Sequence, residues 1–181
     1  MASLQALSSC VLLLLVLDAC MASSMLQDKC ESFAAGDRSS YDYCVRTLQR
    51  DRASATADER GLAAIAARIA RATAKATGSK IAARQGYETV PARRDCLAAC
   101  ALEYAAAVRR LGRAARDAAR GRDLQRVQTL LAEVTGAPAR CDGAFKAAGQ
   151  FSPLAGADLG LDDEVELAIA LLSTPPSPTR A

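Results

Sequence analysis

Cysteines, carboxylates and arginines are the residue types in this chain that could do chemistry. The 181 residues include seven cysteines but no histidine, so the commonest general base and the commonest metal ligand are both absent. No two cysteines have the Cys-x-x-Cys spacing that is common in structural zinc sites. We therefore expect neither a bound metal nor a cofactor.

The densest group of carboxylates lies near the carboxyl end of the chain, at Asp162, Asp163, Glu164 and Glu166. Acidic side chains are favoured at the start of a helix, where they meet the positive end of the helix dipole, and we interpret the group in this way. Serine and threonine are frequent, but there is no histidine base to activate one as a nucleophile. The residue types therefore indicate a protein that is not an enzyme.

Arginines supply most of the positive charge, and five of them fall within one short segment. They are Arg109, Arg110, Arg113, Arg116 and Arg120, in a chain whose formal net charge is +3 at pH 7. No aromatic residues interleave with the basic runs, as they do where proteins stack on nucleic-acid bases. We expect no nucleic-acid partner and interpret these arginines as a solvated helix face; contact with an acidic partner is the alternative.

A short apolar segment near the amino terminus, residues 11–17, is followed by mostly small residues up to Ser24. This order is typical of a secretory signal peptide, and the apolar run is too short to span a bilayer. We predict a signal peptide over residues 1–24, secretion and no membrane anchor; a buried N-terminal helix is the alternative. Removal of Cys10 and Cys20 leaves five cysteines, of which four suit two disulfides.

The elements that must position these residues are predicted to be helices. Hydrophobic residues make up 51% of the chain but aromatics only 4%, and alanine, the best helix former, is abundant. The clearest helix is predicted from about Ala92 to Arg120, ending at Gly121, with Cys100 at the edge of its apolar face. Its apolar positions are spaced four, three, four, three and four residues apart, which places them on one stripe. They are Leu97, Ala101, Tyr104, Val108, Leu111 and Ala115.

Start and stop signals on either side of this helix predict its neighbours. Residues 56–59 read as a helix start, with Thr56 as the cap, and Gly78-Ser79 reads as the end of that helix. Residues 80–84 begin a further helix, which Gly86 and Pro91 are expected to interrupt or kink.

Two more helices are predicted towards the carboxyl end. Asp123 opens one, which Gly136 and Pro138 should bend or break before Cys141. The carboxylates at residues 162–164 begin the last, which ends before the proline-rich end of the chain.

Four main helices with short connections are most economically packed as an antiparallel up-and-down bundle. We therefore predict an all-α, disulfide-stapled domain over residues 25–173. Within it, residues 25–52 form a short N-terminal α-hairpin and residues 53–173 form the four-helix bundle. Residues 174–181, rich in proline and serine, are predicted to be a disordered tail.

Four segments of the chain form an ordered pattern. They are Cys30…Tyr41-Asp42-Tyr43-Cys44, Thr56-Ala57-Asp58…Gly61-Leu62, Cys100-x-x-x-Tyr104-x-x-Ala107-Val108-x-x-Leu111, and Cys141-x-x-x-Phe145 followed by Ser152-Pro153-Leu154. This pattern resembles the family of plant invertase and pectin methylesterase inhibitors. The resemblance covers almost the whole mature chain. The overall pattern of motifs is especially similar to that of pollen-type invertase inhibitors. It implies a protein of the apoplast and cell wall that inhibits an enzyme by binding it. It also implies the disulfides Cys30–Cys44 and Cys100–Cys141.

The target enzymes that the resemblance implies are pectin methylesterase and acid invertase. Invertase inhibitors often carry Pro-Lys-Phe before the central helix, whereas this chain reads Val90-Pro91-Ala92-Arg93-Arg94. The difference favours pectin methylesterase, bound in a 1:1 complex, with acid invertase as the alternative; Pro91, Arg93 and Arg94 are the predicted contact residues. Alternatives of other classes are a pectin-binding wall module, with arginines against galacturonate, and a helical lipid carrier.

Cys96 is an additional thiol, four residues before Cys100 on the same predicted helix. Pairing Cys141 with Cys96 instead would shift the contact by about 6 Å along the helix and misalign the apolar stripes. We therefore predict that Cys96 remains a free thiol. If it is exposed, it would join two molecules into a dimer.

Overall fold

The computed structural model of the protein describes residues 25–154 and 160–173. Most of these residues are helical, and they contain no strand. The elements in chain order are α1 (residues 25–34), α2 (Arg38–Leu48), a 3₁₀ helix (Arg52–Thr56), α3 (Glu59–Tyr87), α4 (Pro91–Ala119), α5 (Leu124–Ala132), α6 (Ala137–Ala147) and α7 (Leu161–Ser173). The predicted signal peptide and the predicted tail at residues 174–181 lie outside the described residues.

The helices form the all-α, disulfide-stapled bundle that the sequence predicts. The α1–α2 hairpin precedes a bundle made of α3, α4, the interrupted α5–α6 segment and α7. The most extensive packing is between α3 and α4; α7 covers α3, while α5 and α6 cover α4. None of the helices described is both long enough and apolar enough to cross a membrane.

The core of the bundle is the seam between α3 and α4. Its α3 side is built mainly from buried alanines, and its α4 side adds the larger Leu97, Tyr104 and Leu111, all fully buried. The buried α3 alanines are Ala63, Ala64, Ala66, Ala67, Ala70 and Ala74. Because an alanine side chain is a single methyl group, the two helices approach closely along this seam.

α3 extends further than the sequence predicts. The predicted end at Gly78-Ser79 and the predicted separate helix from Lys80 are both wrong, since α3 continues without a break to Tyr87. A side-chain carbon at Gly78 would lie 3.8 Å from the Tyr104 Cβ, so this glycine lies against α4. Packing against α4 outweighs a helix-propensity cost of about 1 kcal/mol for a glycine within a helix.

Two helix starts also differ in detail from the prediction. The N-cap of α3 is Asp58 and not Thr56, and its carboxylate accepts a hydrogen bond from the Gly61 N–H at 2.8 Å. Pro91 neither kinks nor interrupts a helix, because it occupies the first turn of α4. A proline is well suited to that position, where its missing N–H would have no partner within the helix.

The predicted break between α5 and α6 is confirmed. α5 ends at Ala132, and α6 begins at Ala137 after Gly136, whose φ is +78°. The Gly136 N–H also donates to the Asp162 carboxylate at 3.0 Å, which ties the break to the first turn of α7. Pro138 then lies in the first turn of α6, where it is compatible with a helix.

Two disulfides link neighbouring helices, with the pairing that the family resemblance implies. Cys30 of α1 is bonded to Cys44 of α2, with a Cα–Cα distance of 5.5 Å. Cys100 of α4 is bonded to Cys141 of α6, with a Cα–Cα distance of 4.7 Å. Cys96 is free but buried, and its thiol lies 3.4 Å from the Ala144 carbonyl oxygen. The exposure that a dimer through this thiol would require is therefore absent.

The α1–α2 hairpin is held to the bundle by two ion pairs with one buried partner each. The buried Lys29 ammonium lies 2.9 Å from the Glu59 carboxylate at the start of α3. Arg50, just after α2, lies 2.9 Å from the buried carboxylate of Glu164 in α7. Loss of Glu59 or Arg50 would remove the ion-pair partner of a buried charge, so both pairs help to fix where the hairpin docks.

We predict that the two cysteines of α4 respond differently to substitution by serine. Cys100→Ser removes the link across a sequence separation of 41 residues and should lower the free energy of unfolding by about 4 kcal/mol in the chain-entropy model. Cys96→Ser keeps a donor for the Ala144 carbonyl and should change the free energy by less than about 1 kcal/mol.

Thermal or urea unfolding of both variants, with a disulfide map by mass spectrometry, checks this prediction. Wild-type protein should yield the Cys100–Cys141 peptide and an unmodified Cys96. A dominant Cys96–Cys141 peptide, or a larger loss of stability for Cys96→Ser than for Cys100→Ser, would contradict it.

Candidate partner-binding site

The predicted contact residues lie where α3 turns into α4. Only residues 88–90 connect the two helices, so Pro91, Arg93 and Arg94 stand in the first turn of α4 at one end of the bundle. Pro91 and Arg94 are exposed and Arg93 is half-buried. The structure therefore places the three residues together on one accessible connection.

Glu88 organises this connection. Its carboxylate accepts hydrogen bonds from the Val90 N–H at 2.9 Å and from the Arg93 Nε and Nη2 atoms, both at 3.1 Å. The Glu88 backbone carbonyl accepts two more from Arg94, through Nη2 at 2.6 Å and Nε at 3.2 Å. Both arginines thus fold back onto the last residue before the turn and hold it closed.

These contacts favour the ionised form of Glu88. The hydrogen bond from the Val90 N–H, followed by those from Arg93, holds the pKa of the Glu88 carboxyl below its usual value. Side-chain exposure is 14% for Glu88 and 39% for Arg93, so the pair is partly shielded while the arginine keeps one accessible edge. An arginine held in this way presents a fixed guanidinium group to a partner.

Two exposed aromatic side chains lie at the same end of the bundle, and sequence reasoning missed both. Tyr87, the last residue of α3, is 68% exposed, and Phe151, beyond α6, is 95% exposed. α6 runs antiparallel to α4, because Cys141 is bonded to Cys100 and the Ala144 carbonyl reaches Cys96. The chain that leaves α6 therefore heads towards the α3–α4 connection. Their exposure could have been predicted from the sequence, because neither the tyrosine nor the phenylalanine belongs to the apolar stripe of a predicted helix.

The carboxylates near the carboxyl end have structural roles. Asp162, Asp163 and Glu164 occupy the first turn of α7, as the sequence predicts. Asp162 accepts from the Gly136 N–H, and Glu164 pairs with Arg50. Within the described part of the chain no three of His, Cys, Asp and Glu converge to form a metal site.

The arginines in the second half of α4, together with its C-cap Arg120, divide into two groups. Arg110 is paired with Glu133, with a distance of 2.6 Å between Nε and Oε2. Arg109, Arg113, Arg116 and Arg120 form no ion pair with any residue that the structure describes, and all four are exposed. Their spacing of four, three and four residues places them on one face of α4.

The fold and its disulfides agree with the comparison with protein families. The family model for plant invertase/pectin methylesterase inhibitors matches residues 24–169. The match covers most of the chain, from just before α1 into α7, and the chain belongs to this family. The comparison with curated proteins found no match.

We predict that Glu88→Gln loosens the α3–α4 connection, because a neutral amide cannot keep the paired contact with Arg93. The pKa of Glu88 is lowered from its usual value of 4.5, so the folded state favours the carboxylate. Its contribution to stability is therefore fully present above about pH 4.5 and is lost as the pH falls through the lower, folded pKa. The difference in Tm between wild type and variant should shrink accordingly on acidification.

Thermal melts at a series of pH values, from neutral to well below the usual carboxyl pKa of 4.5, measure the difference. Glu31→Gln is a matched control, since Glu31 is exposed on α1 and forms no ion pair with a described residue. A Glu88→Gln difference that stays constant with pH, or that Glu31→Gln reproduces, would show that the Glu88 contacts contribute nothing.

Proposed function

We propose that this protein is a secreted inhibitor of pectin methylesterase, which it binds in a stoichiometric 1:1 complex in the cell wall. The observation that carries the proposal is the family match over residues 24–169 on a disulfide-stapled helical bundle. Members of a family of inhibitors act by binding an enzyme, which needs a rigid surface and no catalytic group. The α3–α4 connection, fixed by Glu88, offers such a surface.

The choice of pectin methylesterase over acid invertase rests on residues 90–94. The segment reads Val-Pro-Ala-Arg-Arg and lacks the Pro-Lys-Phe that is frequent in invertase inhibitors. Both arginines fold back onto Glu88, so this segment does not project as a free loop. Acid invertase is the second candidate, because the family includes inhibitors of both enzymes.

We place the enzyme-binding surface at the α3–α4 end of the bundle. Aromatic residues and arginine contribute most of the affinity at protein interfaces, and Tyr87, Arg93, Arg94 and Phe151 bring both types to this end. The hydrogen bonds to Glu88 fix the arginines before binding, which lowers the conformational entropy lost when the complex forms.

The decisive test is a titration of the purified mature protein into pectin methylesterase and acid invertase assays in parallel. We expect loss of pectin methylesterase activity with an end point at one inhibitor per enzyme, and unchanged invertase activity. Inhibition of invertase alone would make the second candidate correct. If neither enzyme is inhibited across the acidic range, the proposed function is wrong.

Substitution at the proposed surface tests where the enzyme binds. Arg93→Gln/Arg94→Gln should weaken inhibition by about tenfold or more, the size of effect expected for truncated interface arginines. Arg38→Gln/Arg46→Gln removes the same charge from α2 at exposed positions and is the control. Equal inhibition constants for the two double variants would move the interface elsewhere on the bundle.

Secretion with cleavage near Ser24 is the final part of the proposal. Residues 1–24 carry the apolar segment and small residues of a signal peptide, and the family match begins at residue 24. Intact-mass analysis of protein secreted by a plant host should show a chain that begins near Met25. A secreted chain that retains Met1 would contradict the cleavage.

A further inference from the structure

Six exposed arginines on α3 and α4 form a second surface, which we call the arginine strip. Its members are Arg60 and Arg71 of α3 and Arg109, Arg113, Arg116 and Arg120 of α4. Arg71 is 17 residues before Glu88, which corresponds to about 25 Å along α3. The strip is therefore well separated from the α3–α4 connection, and the inference drawn from it does not rest on the proposed function.

Two glycines of the α4 segment bring the arginines of α3 into the strip. A side-chain carbon at Gly112 would lie 3.1 Å from the Arg71 Nε and 3.5 Å from the Arg116 Nη1, so both guanidinium groups lie beside one backbone position. At Gly121 a side-chain carbon would lie 2.5 Å from the Arg60 Nη1. Guanidinium groups therefore occupy space that side chains at positions 112 and 121 would fill if these residues were not glycine.

The strip has few neutralising carboxylates. None of its six arginines forms an ion pair with a residue that the structure describes. Asp117 is the one acidic residue within residues 60–71 and 109–120, and it faces Arg126 at 3.8 Å. At the end of the strip, Asp58 caps α3 and lines the same cleft as Arg60 and Arg120. The arginines beyond this cleft are like charges held together without a counter-charge, which makes a favourable site for an anion.

One end of the strip opens into a cleft of about 490 Å³. The cleft lies between the 3₁₀ helix, the start of α3 and the end of α4, and Arg60 and Arg120 both line it. The strip continues from this cleft along α4 as far as Arg109, over roughly 16 Å at 1.5 Å per residue. This shape, long and narrow with charges at intervals, fits a linear polyanion better than a single small anion.

The residues of the strip argue against a nucleic acid as the polyanion. Residues 60–71 and 109–120 contain no aromatic side chain on which nucleic-acid bases could stack. Two exposed leucines border the strip: Leu102 lies two turns before Arg109 on the same face of α4, and Leu124 lines a pocket with Arg60. The strip itself contains no aromatic anchor of the kind that is typical of a protein interface.

We propose that the arginine strip binds de-esterified pectin, a linear polymer that carries a carboxylate on each uronic acid unit. Guanidinium groups pair with carboxylates through two parallel hydrogen bonds, and they stay charged at every physiological pH. Pectin methylesterase, named in the family's own description, removes methyl esters and so creates these carboxylates. The strip would hold the protein on the polymer that such an enzyme has already processed.

A binding assay without any enzyme tests the proposal. Oligogalacturonates of uniform length are titrated into the mature protein at low salt, with fully methyl-esterified oligomers as the uncharged counterpart. The acidic oligomer should bind, with an affinity that falls as salt is raised, and the esterified oligomer should not. The double variant Arg71→Gln/Arg116→Gln should weaken binding by about tenfold, the loss expected for two solvent-accessible ionic contacts.

A matched double variant separates a built site from general charge attraction. Arg46→Gln/Arg84→Gln removes the same charge from exposed positions of α2 and α3 outside the strip and should change the affinity by less than about twofold. Circular dichroism verifies that each variant is folded. If Arg71→Gln/Arg116→Gln does not fold, Arg109→Gln/Arg113→Gln, at fully exposed positions, replaces it with the same expected loss.

Three results would overturn the proposal. The first is an equal loss of affinity in the strip and control variants, and the second is equal binding of the esterified oligomer. The third is tighter binding of poly-glutamate than of oligogalacturonate, which would assign the strip to an acidic protein segment. Because no enzyme is present, each of these results leaves the question of enzyme inhibition untouched.

Discussion

The close approach of α3 and α4 is the constraint on which the rest of the molecule depends. Six alanines of α3 are buried, and α3 packs more extensively against α4 than against any other helix. Each alanine brings only a small apolar surface out of water. Such a seam is stable only if the helices are close enough to exclude solvent along their whole length. Gly112 extends the same logic, since the absence of a side chain there admits Arg71 of α3.

A seam of this kind leaves little surplus stability for the outer elements, and these are held by other means. The disulfide from Cys100 to Cys141 fixes α6 on α4, and the Gly136 N–H contact with Asp162 links the α5–α6 break to α7. The hairpin carries its own disulfide and meets the bundle through Lys29 and Arg50. Covalent and ionic links thus supplement the thin apolar core at each peripheral element.

The buried face of α4 could be predicted from the sequence, because the spacing of apolar residues indicates which side of a helix is buried. Leu97, Tyr104 and Leu111, picked out by spacing alone, are all fully buried. The end of α3 was not readable, because a glycine reads as a stop signal unless the helix that packs against it is known. Nor could the sequence show that Arg110 is paired with Glu133 while its neighbours on α4 have no described partner. Whether an arginine is paired depends on its distance from carboxylates on other helices, and the spacing of residues along one helix does not give that distance.

The contacts of Glu88 were missed for a related reason. Glu88 precedes Arg93 by five residues and lies outside the helix that carries the arginines, so no helical pairing rule connects them. The connection between α3 and α4 brings them together only once both helices have their observed ends. Residues 90–94 could therefore be singled out by composition, whereas the hydrogen bonds that brace them required the fold.

The burial of Cys96 has a consequence for the redox chemistry of the protein. A thiol reacts with oxidants or disulfides as an accessible thiolate, and this one is shielded between α4 and the Ala144 carbonyl of α6. In an oxidising compartment it would therefore stay reduced only while α6 remains docked. Because Cys96 is one helical turn from Cys100, any local opening of α6 would expose a nucleophile beside an existing disulfide. The packing of one short helix thus protects the bundle against thiol–disulfide exchange within its own chain.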